Sequence, residues 1–271
     1  MLDKIFIKLC RIPCLEKRLW HAFYQYLAGH YRAADWTFMN YGLDDGSSQL
    51  ELDAIDEPNR ACIQLYNSVA GAVPLSGLDV LEVGSGRGGG ASFIFRYLKP
   101  ASLTGVDLSE EAVCFCQQLH RICGLSFRAG DAEQLPFENN AFDAVVNIES
   151  SHCYPHISLF FNEVARVLMP GGHFLYADFR DRNQIDSWRR TLRASGLAIV
   201  AETDITVNVV RALDAESERK VALIDRVVPK IFHSSLLDFA AVRGSKMYRA
   251  FCTGSLAYIS FVAQKEQSRM G

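Results

Sequence analysis

The stretch "LEVGSGRGGG" (81–90) places five glycines in the seven positions from 84 to 90, directly behind the apolar run "LDVLEV" (78–83). A strand that runs into a glycine loop and then a helix lets a ligand approach bare backbone and meet the positive end of the helix. The residues that follow repeat the alternation. After the glycines a helix is predicted to about 98, then the apolar run "SLTGVDL" (102–108), a helix opened by Ser109, and "LSFRAG" (125–130). Ser109 suits an N-cap, and Glu110 and Glu111 complement the helix dipole behind it. The series continues with "FDAVVNI" (142–148), a helix over about 156–168 stopped by "PGG" (170–172), and "HFLYADF" (173–179). Strands and helices alternating with short connections predict an α/β fold, a mostly parallel sheet with helices on both faces.

The two ends of the chain depart from that rhythm. Residues 1–70 read as an N-terminal helical extension followed by an irregular connector over 38–59, and 71–271 as the main domain. Beyond a helix around 182–194 and the strand "LAIVAETDITV" (197–207), a mostly helical insertion over about 208–250 precedes the last strand, "SLAYISFVAQ" (255–264).

The glycine loop alone leaves its ligand open. Gly84, Gly86 and Gly89 satisfy a dinucleotide fingerprint, while Gly84, Gly86 and Gly88 satisfy an alternating GxGxG pattern. A phosphate-binding P-loop is excluded because no Gly-Lys-Ser/Thr follows. Asp107 closes the second strand, where a carboxylate can accept both hydroxyls of an adenosine ribose, and both nucleotide readings require that acid.

Further features decide between them. Glu82 stands two residues before the first glycine, "GDAEQLPF" (130–137) puts Asp131 at the end of the third strand, and "ARVLMPGGHFLYAD" (165–178) leads into the fifth. In this order they resemble the class I S-adenosylmethionine-dependent methyltransferases over roughly residues 75–180. That resemblance implies a Rossmann-like fold with a seven-stranded sheet and S-adenosyl-L-methionine as the methyl donor. It implies that Gly84, Ser85, Gly86 and Gly88 face the methionine portion, with Glu82 orienting its amino end. Asp107 and the adjacent Leu108 would serve the ribose and its surroundings, and Asp131 with the Ala132 amide would serve adenine. Tyr41, in "NYG", resembles an aromatic that closes over the cofactor, although core packing explains it equally well. The insertion at 208–250 resembles a substrate lid.

Chemistry is expected after the fourth strand, in "NIESSHCYPH" (147–156), because ligands of such sheets bind outside the carboxyl ends of the strands. An alcohol is a poor nucleophile until a base of suitable pKa takes its proton, which points to His152 as base. Asp178 would orient that imidazole or contact the substrate hydroxyl, and His156 reads as a helix-start residue. No metal is expected, since this stretch supplies imidazole and thiol where Mg²⁺ prefers carboxylates and water.

Longer stretches, including "DEPNRACIQLYN" (56–67) and "VLMPGGHFLYADFR" (167–180), are similar to the mycobacterial phthiotriol/phenolphthiotriol dimycocerosates and glycopeptidolipid methyltransferases. This implies O-methylation of a lipid hydroxyl in cell-envelope lipid biosynthesis. C-methylation of a quinone or sterol is the rival within the enzymes, and a non-catalytic cofactor-binding partner is the rival outside them. With a net charge of -3 and a pI near 6.2, nucleic acid is not an expected partner. Eight cysteines without zinc-ligand spacing read as reduced thiols in the cytoplasm. Residues 1–32 carry six Lys and Arg against two acids, with apolar residues at helical spacing. That segment fits either a helix capping the core or a peripheral contact with the inner face of the membrane. The sequence does not specify an oligomeric state.

Overall fold

The computed structural model describes residues 36–46, 50–227, 230 and 233–266. The basic segment 1–32 therefore lies outside the described residues. The first half of the chain runs through α1 (Arg60–Ala70), β1 (Asp79–Val83), α2 (Gly89–Phe93), β2 (Ser102–Asp107), α3 (Glu110–Leu119), β3 (Leu125–Ala129) and β4 (Phe142–Ile148). The second half runs through α4 (Ile157–Val167), β5 (Leu168–Asp181), α5 (Ile185–Ala194), β6 (Leu197–Asp204), α6 (Thr206–Val227), α7 (His233–Phe239), α8 (Lys246–Cys252) and β7 (Leu256–Lys265).

The seven strands form one sheet in the order β3-β2-β1-β4-β5-β7-β6. The first five are parallel, and β7 inserts antiparallel between β5 and β6. The chain reverses direction on the two sides of β1, so the carboxyl ends of β1 and β4 diverge into a crevice. Because side chains alternate along a strand, each central strand feeds two cores. Val80, Leu103, Val146 and Leu175 pack under α1, α2, α3 and the start of α6, while Leu81, Val106, Val145 and Phe174 pack under α4 and α5. Phe160 and Phe161 of α4 are fully buried, each worth roughly 1.5–3 kcal/mol of apolar burial.

Several boundaries differ from the sequence expectation for local reasons. The helix after the glycines is regular only to Phe93 and continues as a wide turn to Leu98. The "PGG" segment lies inside β5, whose register with β4 shifts between Phe142 and Ala144. Gly171 has φ +81° there, and a Cβ on Gly172 would fall 2.8 Å from the Asp143 carbonyl oxygen, so glycines let the strand start early. The strand predicted to 207 stops at Asp204, whose Oδ1 accepts from the Thr206 amide at 3.0 Å and starts α6 two residues before the expected insertion. Among the described residues no helix is long and apolar enough to cross a membrane.

Candidate active site

Both β1 and β2 end beneath the glycine loop. Gly84, Gly86 and Gly88 all have positive φ, at +75°, +52° and +77°. A Cβ on Gly84 would sit 2.0 Å from Ser150 Oγ, and one on Gly90 2.0 Å from the Tyr66 ring. Substitution at either is excluded by packing, and Gly84 is fixed by conformation as well. Asp107 closes the loop from below: Oδ2 accepts from the Gly86 amide at 2.8 Å and Oδ1 from the Ser109 amide at 2.9 Å. Ser109 caps α3 by accepting from the Ala112 amide, as expected.

Above this floor opens a cleft of ≈ 1030 Å³. Gly84, Gly86, Asp107, Leu108, Asp131 and Ala132 all line it. Glu82, Ser85 and Gly88 do not reach its wall and lie buried just behind it. Glu82 Oε1 accepts from the Tyr66 hydroxyl at 2.7 Å, while its Oε2 is buried with no hydrogen-bond partner. Burial pushes the Glu82 carboxyl up to about 8 against the opposing Tyr66 hydrogen bond. Asp131 Oδ1 accepts from the Glu133 amide at 3.0 Å, turning the chain at the cleft's rim.

The end of β4 supplies the opposite wall through Glu149, Ser150, Cys153 and Tyr154. His152 belongs to this turn but lies beside the cleft, its ring tilted against Phe179 with centroids 4.5 Å apart. Its Nδ1 meets Asp178 Oδ1 at 2.9 Å, and its amide donates to Asp178 Oδ2 at 2.9 Å. Asp178 has no exposed surface and also accepts from Ser151 Oγ at 2.6 Å. Of its two expected roles it is therefore placed to orient the imidazole, and burial removes it from contact with a substrate. Burial disfavours the imidazolium, but Cys153 and the Asp178 carboxylate outweigh it and hold the His152 pKa well above the ordinary value. Burial likewise works against the Asp178 carboxylate, yet His152 and Arg180 hold its pKa below the usual range. His156 caps the start of α4, its amide donating to Glu133 Oε1 at 2.7 Å.

Tyr41 requires a correction. It is buried in a second cavity of ≈ 800 Å³ and is absent from the wall of the first cleft. Its ring stacks on Phe179 at 5.5 Å, and its hydroxyl donates to the Phe239 carbonyl at the end of α7, at 2.9 Å. The segment still covers the cleft, through Trp36 and Met39, which line both cavities. Arg87 anchors that strap by donating to the Trp36 carbonyl and stacking over Phe115 at 4.1 Å.

Glu149 is the functional candidate the sequence did not disclose. It is a non-glycine residue with φ +51°, a conformation that persists only where its surroundings impose it. Its Oε2 accepts from the Tyr41 amide at 2.8 Å and the Tyr258 hydroxyl at 3.0 Å, while its residue lines the cleft. Burial lifts its carboxyl to about 8. Among the described residues no group of three or more His, Cys, Asp or Glu is placed to hold a metal ion.

Against known proteins, residues 81–176 match the model of a methyltransferase domain. The chain is 41% identical over 251 residues to the phthiotriol/phenolphthiotriol dimycocerosates methyltransferase of Mycobacterium tuberculosis, covering 92% of this chain and 93% of that protein. It is 40% identical over 238 residues to the fatty-acid O-methyltransferase of Mycolicibacterium smegmatis, covering 84% of this chain and 87% of that one. The crystal structure of the cyclase SpnF superimposes with a TM-score of 0.72 at 19% identity, over 93% of this chain and 97% of that one. At that identity the last likeness concerns the fold alone.

Proposed function

Because this chain belongs to the S-adenosylmethionine-dependent methyltransferase family that includes the phthiotriol/phenolphthiotriol dimycocerosates methyltransferases, we propose that it methylates a hydroxyl of a related lipid in cell-envelope lipid biosynthesis. When bound, S-adenosylmethionine supplies an electrophilic methyl group to the acceptor oxygen. The residues present fit that donor. Asp107 would take the ribose hydroxyls, and Asp131 with the Ala132 amide would take adenine. The loop from Gly84 to Gly88 offers bare backbone to the methionine portion, and Glu82 lies buried just behind it with an Oε2 that has acceptor capacity to spare.

In this reading His152 takes the hydroxyl proton as the neutral imidazole, a form that its raised pKa shifts toward alkaline pH. Asp178 holds the ring through Nδ1 and balances the imidazolium that forms. The acceptor chain occupies the second cavity, beneath a lid made by α6, α7 and α8. The observation that carries the proposal is the common wall of the two cavities: Trp36 and Met39 border both, so a lipid in one approaches a donor in the other. The positive φ of Glu149 and its place on the cleft wall favour a second reading in which its carboxylate, the form present above its raised pKa, takes the proton. Residues 1–32, basic and apolar, would draw the protein to the membrane that holds so apolar an acceptor.

Transfer of radiolabelled methyl to hydroxylated lipids and to their O-capped counterparts tests the reading. Turnover of the hydroxylated set alone, lost in His152→Asn, is expected. Equal labelling of capped acceptors would sink O-methylation, and failure of the purified chain to bind S-adenosylhomocysteine would sink the assignment of the cleft.

A further inference from the structure

The second cavity is walled mainly by apolar side chains, among them Phe38, Met39, Leu223, Ile224 and Leu236. Two cations, Arg219 and Lys220 of α6, interrupt that wall. They differ in how their charge is met. Arg219 pairs with Glu216 at 2.5 Å. The Lys220 ammonium makes one long hydrogen bond, 3.4 Å to the Tyr41 carbonyl, and lies 5.5 Å from the centre of the Tyr41 ring. A lysine has three donors, so this leaves most of its capacity unspent.

The nearest acid of the adjoining cleft does not neutralise it. Glu149 spends its Oε2 on the Tyr41 amide and the Tyr258 hydroxyl and makes no hydrogen bond or ion pair with Lys220, although the two charges act on each other through space. Burial correspondingly holds the Lys220 pKa below that of an ordinary lysine. A cation kept in an apolar wall without a carboxylate in contact is costly unless a ligand supplies the anion. Glu216, the acid one turn earlier on α6, is engaged by Arg219, so Lys220 has one charge left to be met by contact, and one cation fits one negative charge. A phosphomonoester, at about −1.5 to −2, would remain undercompensated.

We propose that Lys220 receives the carboxylate of an acidic acyl chain whose hydrocarbon fills the second cavity. This rests on the cavity being the acceptor site, and it narrows the acceptor from a hydroxylated lipid to a hydroxylated lipid that is also an acid. Lys220 is then a specificity-determining residue that holds the acceptor rather than taking its proton.

The test titrates the full chain, loaded with S-adenosylhomocysteine, with β-hydroxydecanoate and with its methyl ester, which differ in charge and by one methyl group. The wild type is expected to bind the acid roughly tenfold or more tighter, the worth of one charge-assisted hydrogen bond. Lys220→Met is expected to erase the preference, and Lys220→Arg to keep most of it. Equal binding of acid and ester, an unchanged preference in Lys220→Met, or no binding of either probe would each overturn the proposal. The affinity for S-adenosylhomocysteine is measured on every variant. Its retention shows that Lys220→Met is folded, and its absence in the wild type would fail the methyltransferase reading rather than this one.

Discussion

The two cavities that meet at Trp36 and Met39 are built in opposite ways. The first is made by backbone at the ends of neighbouring strands: positive-φ glycines, amides pinned by Asp107, and a turn pinned by Asp131. Apart from Trp36 and Met39, its lining residues lie at the end of a strand or within a few residues after it. The second is made by side chains that are far apart in sequence, such as Tyr41 with Phe239 and Tyr41 with Lys220. One half is rigid because the sheet fixes it, and the other depends on helices docking over it. Variants of the two halves should therefore separate a methyl-donor defect from an acceptor defect.

The largest effect is expected at their junction. His152→Asn retains a hydrogen-bonding side chain toward Asp178 but removes the titrating ring nitrogen, and should lower kcat by about 10²–10⁴. Calorimetry should find S-adenosylhomocysteine affinity unchanged, because His152 lies outside the first cleft's wall. A parallel loss of that affinity would mean that the β4 turn shapes both halves.

Next in size is Asp107→Ala. It removes the proposed acceptor for the ribose hydroxyls and frees the Gly86 and Ser109 amides, so binding of S-adenosylhomocysteine should weaken roughly 100-fold, two charge-assisted hydrogen bonds' worth. A lipid acid should still bind the second cavity. If it does not, the donor half organises the acceptor half.

The same contrast explains what the sequence disclosed. The glycine loop, Asp107 and Asp131 were legible because each owes its place to local strand-loop-helix geometry with short spacing. His152 and Asp178 were legible as residues after strand ends, and their pairing follows from the adjacent, in-register β4 and β5. Tyr41 was misplaced because an aromatic in an irregular segment carries no periodicity to say which wall it faces. Glu149 and Lys220 were not read at all. A positive φ on a glutamate and an unmatched lysine both arise from contacts made across more than one hundred residues, with Tyr41 at their centre. The early start of β5 was hidden for a different reason, since "PGG" signals a break unless a neighbouring strand pairs through it.

A smaller effect separates the halves by pH. The Glu149 carboxyl rises from 4.5 to about 8 on folding, so the folded state holds its proton across that window while the unfolded state releases it. Stability must then fall as pH rises from about 5 to 8, by up to about 1.4 kcal/mol per pH unit for this group. Glu149→Gln should flatten the decline of Tm over that range. Glu82 has the same sign and a similar value, and His152, raised in the folded state, also loses its contribution as pH climbs through its folded pKa, so part of the slope should persist. A slope identical to wild type would place the Glu149 proton equilibrium outside the fold's energetics and weaken it as a second candidate base.

The smallest predicted change tests the strap. Tyr41→Phe deletes only the hydroxyl that donates to the Phe239 carbonyl, while the ring keeps its stack on Phe179 and its edge contact with Phe251, 5.8 Å between centroids. Losing one hydrogen bond between the strap and the end of α7 costs about 1 kcal/mol of lid docking, a few-fold rise in the KM for the acceptor. Neither kcat nor S-adenosylhomocysteine affinity should move, because Trp36 remains held by Arg87 rather than by Tyr41. If the donor affinity falls as well, the strap is a single mechanical unit. Closing the lid over a lipid would then tighten the cleft around the methyl donor, and the two halves would differ in how they are built without acting separately.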